Sequence, residues 1–168
     1  IAAATLHVFH EHAERVFMAN LAQLVNVIQA LVLTEGEKML LTPTYHVFEM
    51  FKAHQDAVRL PLHLQSETYT YGDKSIPAIS ASASSKDGAI LLTLCNLNPN
   101  AGVELTVELR GAEGKAINGR VLTADALNAH NSFDAPETVT PQPFTDFTAE
   151  GGTITLRLPA KSVVALNL

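Results

Sequence analysis

The run Val16-Phe17-Met18-Ala19-Asn20 limits what this chain can become. It is apolar, short and without alternation. A strand that reads this way is buried on both faces, as in a parallel sheet. Such a strand needs neighbours on both edges and helices over both faces. The surrounding sequence supplies two helices and no second strand of this type. Residues 1–57 therefore read as the last units of a larger α/β barrel or sheet and are not expected to fold alone. The chain starts at Ile1, with no Met, basic n-region or signal peptide, and is expected to be a piece of something longer.

The helices are signalled locally. Leu6, Phe9 and Ala13 recur at helical spacing, which predicts a helix from Ala2 to about His12. Thr42 is a candidate N-cap, with Pro43 at the first helical position, where its missing N–H is harmless. Tyr45, Val47, Phe48 and Phe51 then form an apolar stripe to about Gln55. Between the helices, Leu21–Leu41 is mostly apolar, with a turn or cap at Thr34-Glu35-Gly36-Glu37.

Composition changes near Ala57. Of nine Gly and eight Pro, only Gly36 and Pro43 precede Val58. The second half reads as short strands. Val58, Leu60, Leu62 and Leu64 alternate with Arg59, Pro61, His63 and Gln65. Ile79–Ala83 alternates small apolar residues with Ser, Lys86-Asp87-Gly88 signals a hairpin, and Ala89–Leu97 follows. Asn98–Gly102 is a turn into Val103–Leu109. Further strands are expected at Ala116–Thr123, Thr153–Leu158 and Ser162–Leu168, and Asp125–Glu150 as an irregular excursion. This spacing predicts an antiparallel sandwich. No flexible linker separates the halves, so they are expected to pack directly together.

Several classes are disfavoured. With 47% hydrophobic and 17% charged residues, the chain is not a disordered segment. No run of about 18 apolar residues exists, so no membrane helix is expected. The net charge of −6 argues against nucleic acid as a partner. One cysteine, Cys95, excludes an internal disulfide framework and the usual zinc clusters. Its mid-strand position suits a small buried hydrophobe. No cofactor or metal is implied.

Chemistry-bearing residues are few. His7 and His10 share a helix face, but a zinc-peptidase helix needs His at i and i+4, and Glu14 stands four after His10. His7, His10 and His12 are therefore expected at the surface and helix end. The carboxylate pairs Glu11/Glu14, Glu35/Glu37 and Glu49/Asp56 could be weighed as the two carboxyls of a glycosidase. None sits at the end of the predicted strand, so solvated faces are the expectation. Gln23 and Asn26 stand out, being uncharged amides directly after that strand. In a barrel this is where active sites lie. The other reading is that they satisfy backbone groups as the chain leaves the strand.

The stretches His12–Val27 and Leu41–Phe51 closely resemble segments of family 51 glycoside hydrolases, the α-L-arabinofuranosidases. The ending Leu158–Leu166 is similar to that family's last strand. The resemblance implies an α/β fragment, the end of a (β/α)8 catalytic barrel, at 1–57. It implies an all-β antiparallel sandwich of jelly-roll type at 58–168. Val16–Asn20 would be the eighth barrel strand and Pro43–Gln55 the last barrel helix. Gln23 matches the glutamine that hydrogen-bonds the arabinofuranosyl unit; Asn26 would support the site or the loop. The family's acid/base and nucleophilic glutamates would lie before Ile1, so no catalytic residue is expected in this chain. It would complete one wall of a retaining site in partnership with the remainder of the barrel and an arabinofuranosyl-containing saccharide.

Two other classes stand beside this one. The sandwich could bind polysaccharide, but sugar platforms favour exposed aromatics; Trp is absent, and Tyr69 and Tyr71 are the only close aromatic pair in that half. Alternatively it braces the barrel or mediates homo-oligomer contacts.

Overall fold

The computed structural model describes residues 1–111 and 118–168. Helix α1 (Ala2–Glu11) comes first, followed by a long irregular connection. Strands β1 (Val32–Glu35) and β2 (Lys38–Leu41) form a hairpin around Gly36, which takes φ +59°. Helix α2 (Pro43–Phe51) runs into a 3-10 turn at Lys52–His54. Thr42 caps α2 as expected, its side chain accepting from Tyr45 N, with Pro43 in the first turn.

The rest is antiparallel β-structure: β3 (Val58–Arg59), β4 (Thr68–Tyr71), β5 (Lys74–Pro77), β6 (Ile79–Lys86), β7 (Ala89–Asn96), β8 (Val103–Glu108), β9 (Asn118–Leu122), β10 (Gln142–Pro143), β11 (Phe147–Glu150), β12 (Thr153–Leu158) and β13 (Val163–Asn167). A six-stranded sheet has the order β10-β9-β13-β7-β6-β3, and a three-stranded sheet the order β11-β12-β8. The β6–β7 hairpin closes at Asp87 (φ 52°) and Gly88 (φ 83°). Both central residues have positive φ, as the favoured two-residue turn requires.

The six-stranded sheet is buried on both faces, and its alternation assigns the two sides. Leu92, Leu94, Val164 and Leu166 face the three-stranded sheet and meet Ile154, Leu156 and Leu158. Ile154, Leu158, Val164 and Leu166 are fully buried. Each such side chain contributes about 1.5–3 kcal/mol relative to exposure. Leu91, Cys95 and Ala165 face the helices, against Ala3, Val47, Met50 and Phe51. The two halves pack directly, as the missing linker implied. Burial pushes the free Cys95 thiol up to about 11, consistent with an inert core position.

One stretch stays unpaired, as a strand supplied with no neighbour must, and two expectations change. Val16–Asn20 joins no sheet among the described residues and has no regular secondary structure, with Phe17 98% exposed. A strand exists only where a neighbour accepts its N–H groups, and none of the described residues is paired beside it. The Val58–Gln65 alternation yields only the two-residue β3, paired with Ser84 and Ser85. Leu60 N still donates to Ala83 O, but Pro61 has no N–H to continue the ladder. Asp125–Glu150 is mostly irregular but holds β10 and β11. Its first part is organised by Asn131, whose Oδ1 accepts from Val139 N at 2.7 Å and whose Nδ2 donates to Leu41 O at 2.8 Å. The expected strand at Ala116–Thr123 appears as β9; Ala116 and Ile117 lie outside the described residues. Among the described residues no helix is long and apolar enough to cross a membrane.

Candidate functional site

Gln23 lies on the connection between α1 and β1, exposed. The backbone beside it is held. Leu24 O accepts from Leu31 N at 3.1 Å and Val32 N at 3.2 Å. Val25 bridges Val32 in parallel, and Asn26 N donates to Val32 O at 3.1 Å. Asn26 has φ +56°, a left-handed conformation that Asn adopts more readily than most residues. Its Nδ2 donates to Thr34 Oγ1 at 2.9 Å, and its Oδ1 accepts from Thr34 N at 2.8 Å. The two amides are close in sequence but differently used. Gln23 presents its side chain outward, whereas Asn26 spends its own on the hairpin.

The carboxylate pairs do not converge. Glu35 and Glu37 flank Gly36 at the exposed tip of the β1–β2 hairpin. Glu14 is exposed, 3.9 Å from His12 Nδ1 and 4.0 Å from Arg15 Nε. Glu49 is bound at 2.6 Å by Arg120 and lies 3.4 Å from Lys52. Partial burial opposes its charge, but hydrogen bonds and attraction from Arg120 and Lys52 outweigh that and hold its pKa below normal. Such a carboxylate is poorly suited to act as a general acid. Among the described residues no cluster of three or more His, Cys, Asp or Glu is arranged to hold a metal ion.

The histidines give the largest departure from the sequence reading. His7 and His10 were expected at the surface, but they turn inward and meet the serine face of β6. His7 Nδ1 lies 2.8 Å from Ser80 Oγ, His10 Nδ1 3.1 Å from Ser82 Oγ, and His54 Nδ1 2.7 Å from Ser84 Oγ. His7 Nε2 and His54 Nε2 both reach Thr93 Oγ1. Thr93 Oγ1 also lies 3.3 Å from Ser82 O. One proton arrangement satisfies this whole group. Thr93 donates to the Ser82 carbonyl and accepts from both Nε2–H groups, and Ser80 and Ser84 donate to the Nδ1 atoms. His7 stacks on Phe51 with ring centres 5.1 Å apart. Burial, then repulsion from His10 and His54, lowers the His7 pKa to about 3. Burial, then His10, lowers His54 to about 4, and burial lowers His10.

A Ser–His hydrogen bond can also begin a nucleophilic site. Here His7 is 3% exposed and Thr93 fully buried, so the shared hydroxyl is shut away from solvent. The cluster fastens helices to sheet. The signal available in sequence was the alternation Ser80, Ser82, Ser84 opposite histidines three apart on α1. Tyr69 and Tyr71 sit on the β4–β5 hairpin, Tyr71 mostly exposed.

The geometry therefore defines a two-sheet sandwich carrying helices on one face and an amide-bearing loop beyond them. Residues 1–162 match the family described as the alpha-L-arabinofuranosidase C-terminal domain, and the chain belongs to that family. It is 44% identical to an intracellular exo-alpha-L-arabinofuranosidase of Bacteroides ovatus, over 100% of this chain and 33% of that protein. Its fold superposes on a GH51 arabinofuranosidase from Xanthomonas axonopodis pv. citri with TM-score 0.96 and 45% identity, covering 99% of this chain and 34% of that one. A family 51 alpha-L-arabinofuranosidase from Bifidobacterium longum gives TM-score 0.90 at 30% identity, over 99% and 34%. The chain thus spans about one third of the length of these relatives.

Proposed function

We propose that this chain is the C-terminal portion of a retaining α-L-arabinofuranosidase. The parent enzyme would release terminal non-reducing α-L-arabinofuranosyl residues from arabinose-containing polysaccharides and oligosaccharides. Residues 1–57 supply the end of the catalytic barrel, with Val16–Asn20 as its last strand. Residues 58–168 form a sandwich of jelly-roll type that braces it. Gln23 faces the sugar, since an amide donates and accepts at once and so suits a furanose hydroxyl. The acid/base and nucleophilic glutamates come from outside this chain.

The observation that carries this reading is the uncovered run between α1 and β1. Phe17 is 98% exposed, Met18 70% and Ile28 95%, with Leu21, Leu24 and Val25 also exposed. Apolar residues so concentrated mark a surface that another part of a protein covers. Relatives about three times as long as this chain support the reading that a further part of the protein covers it.

The test is kinetic. In the full-length enzyme, Gln23→Ala should lower kcat/KM on p-nitrophenyl α-L-arabinofuranoside with little change in melting temperature. Losing one hydrogen bond to a neutral hydroxyl, worth about 0.5–1.5 kcal/mol, corresponds to roughly a two- to twelvefold loss. A lower melting temperature with unchanged kinetics would move Gln23 from the site to the scaffold.

A further inference from the structure

We infer that Asn26 is a positioning residue for the sugar-binding loop, holding Gln23 in place through a two-point clamp on Thr34. This rests on the reading of Gln23 given above.

Three observations combine. First, the clamp is reciprocal: the Asn26 amide donates to Thr34 Oγ1 and accepts from Thr34 N, at 2.9 and 2.8 Å. A paired contact of this kind fixes direction as well as distance. Second, the clamp closes a short parallel pairing in which Leu24 O, Val25 and Asn26 N all engage Val32 or its neighbour Leu31. Gln23 is the residue immediately before this pinned stretch, so its backbone origin is set by it. Third, the hairpin receiving the clamp is itself tied down. Thr42, the N-cap of α2, donates its hydroxyl to Ala30 O at 2.8 Å and its N–H to Leu31 O at 3.0 Å.

Asn26 and Thr34 are exposed in this chain. Two exposed hydrogen bonds add little to global stability, because water competes for both partners. Their effect is local order, which a glutamine that must meet a furanose hydroxyl within a fraction of an ångström requires. The left-handed backbone at Asn26 points the same way, since glycine would satisfy it without restraining the loop.

The experiment is a double-mutant cycle in the full-length enzyme with p-nitrophenyl α-L-arabinofuranoside. Asn26→Gly keeps the backbone conformation accessible and removes the clamp. It should lower kcat/KM by roughly three- to tenfold, and have less than about a twofold effect when Gln23 is already Ala. Asn26→Asp, which retains an acceptor for Thr34 N and can accept from the Thr34 hydroxyl, should recover most of the loss. Thr34→Val, which removes one arm only, should give an intermediate loss, and it serves as the reporter should Asn26→Gly fail to fold. An equal loss in both Gln23 backgrounds would overturn the proposal, because Asn26 would then act independently of Gln23. Normal kinetics of Asn26→Gly beside an impaired Gln23→Ala would overturn it too, leaving the Gln23 reading intact. Normal kinetics of Gln23→Ala would remove both.

Discussion

His7 and His54 reach the same hydroxyl from two different helical segments, their Nε2 atoms 3.0 and 2.9 Å from Thr93 Oγ1. One β7 side chain thereby joins α1 and the turn after α2 to the sheet. Its three neighbours consume both lone pairs and the proton. Thr93→Val keeps the shape and removes every one of these bonds. Two buried ring N–H groups would be left without an acceptor, at about 1–3 kcal/mol each. Denaturant unfolding should show the loss, and Thr93→Ser should restore much of it. A Val variant as stable as the parent would mean that the rings find other partners.

The same cluster sets an acid limit. The folded-state pKa values of His7 and His54 fall to about 3 and about 4, below the ordinary 6.5, chiefly through burial. The unfolded chain therefore binds more protons than the folded one across that interval. Stability should be full above about pH 6.5 and fall as pH drops toward 4 and 3, each group adding up to about 1.4 kcal/mol per pH unit. Melting temperature measured from pH 7 to pH 4 checks this. His7→Gln should flatten the slope even if it lowers the plateau; an unchanged slope would assign acid sensitivity elsewhere.

These contacts also mark what sequence pattern could and could not convey. Thr42-Pro43 announced α2, and Asp87-Gly88 announced its hairpin, because caps and turns are local events. The strands Thr153–Leu158 and Val163–Asn167 were legible from alternation alone. His7 and His10 were misplaced because their burial depends on Ser80 and Ser82, more than 70 positions away. Their polarity suggested solvent; a polar face on the opposing strand made the interior tolerable. Val16–Asn20 reads as a buried strand by composition and yet joins no described sheet and lies bare, since pairing requires a neighbour that a pattern does not supply. At the loop, Gln23 and Asn26 were visible as unusual amides, while their division of labour depended on Thr34.

Gly119 tests the fit between β9 and the sandwich core. A methyl group there would sit 2.8 Å from Leu166 Cδ2, 3.0 Å from Phe144 O and 3.1 Å from Phe144 Cβ. Leu166 is fully buried and Phe144 4% exposed, so neither yields freely. Gly119→Ala should destabilise by about 1–3 kcal/mol, as overpacking does. Gly36→Ala makes a useful contrast. It meets nothing within 4 Å, so any loss there comes from its φ of +59° alone. Equal unfolding midpoints for Gly119→Ala and the parent would show that β9 shifts to accommodate the methyl.

The uncovered run gives the last prediction, in which one substitution is neutral in one setting and costly in another. Phe17 is 98% exposed in this chain, so Phe17→Ser removes no packing here. In the isolated chain it should leave the unfolding midpoint within about 0.5 kcal/mol of the parent, as surface changes do. It should also reduce self-association and binding of an apolar dye, because a large exposed apolar group is lost. In the full-length enzyme the same ring would be a core residue of the barrel's last strand. There Phe17→Ser should cost about 3–5 kcal/mol, the range for truncating a buried aromatic, with the added penalty of a buried hydroxyl. Parallel denaturation of both forms reads the difference directly. The isolated chain should in addition fail to hydrolyse p-nitrophenyl α-L-arabinofuranoside, since both catalytic carboxylates are assigned outside it. If Phe17→Ser were harmless in the full-length enzyme as well, Val16–Asn20 would be a surface connection there too, and the last barrel strand would have to be sought elsewhere.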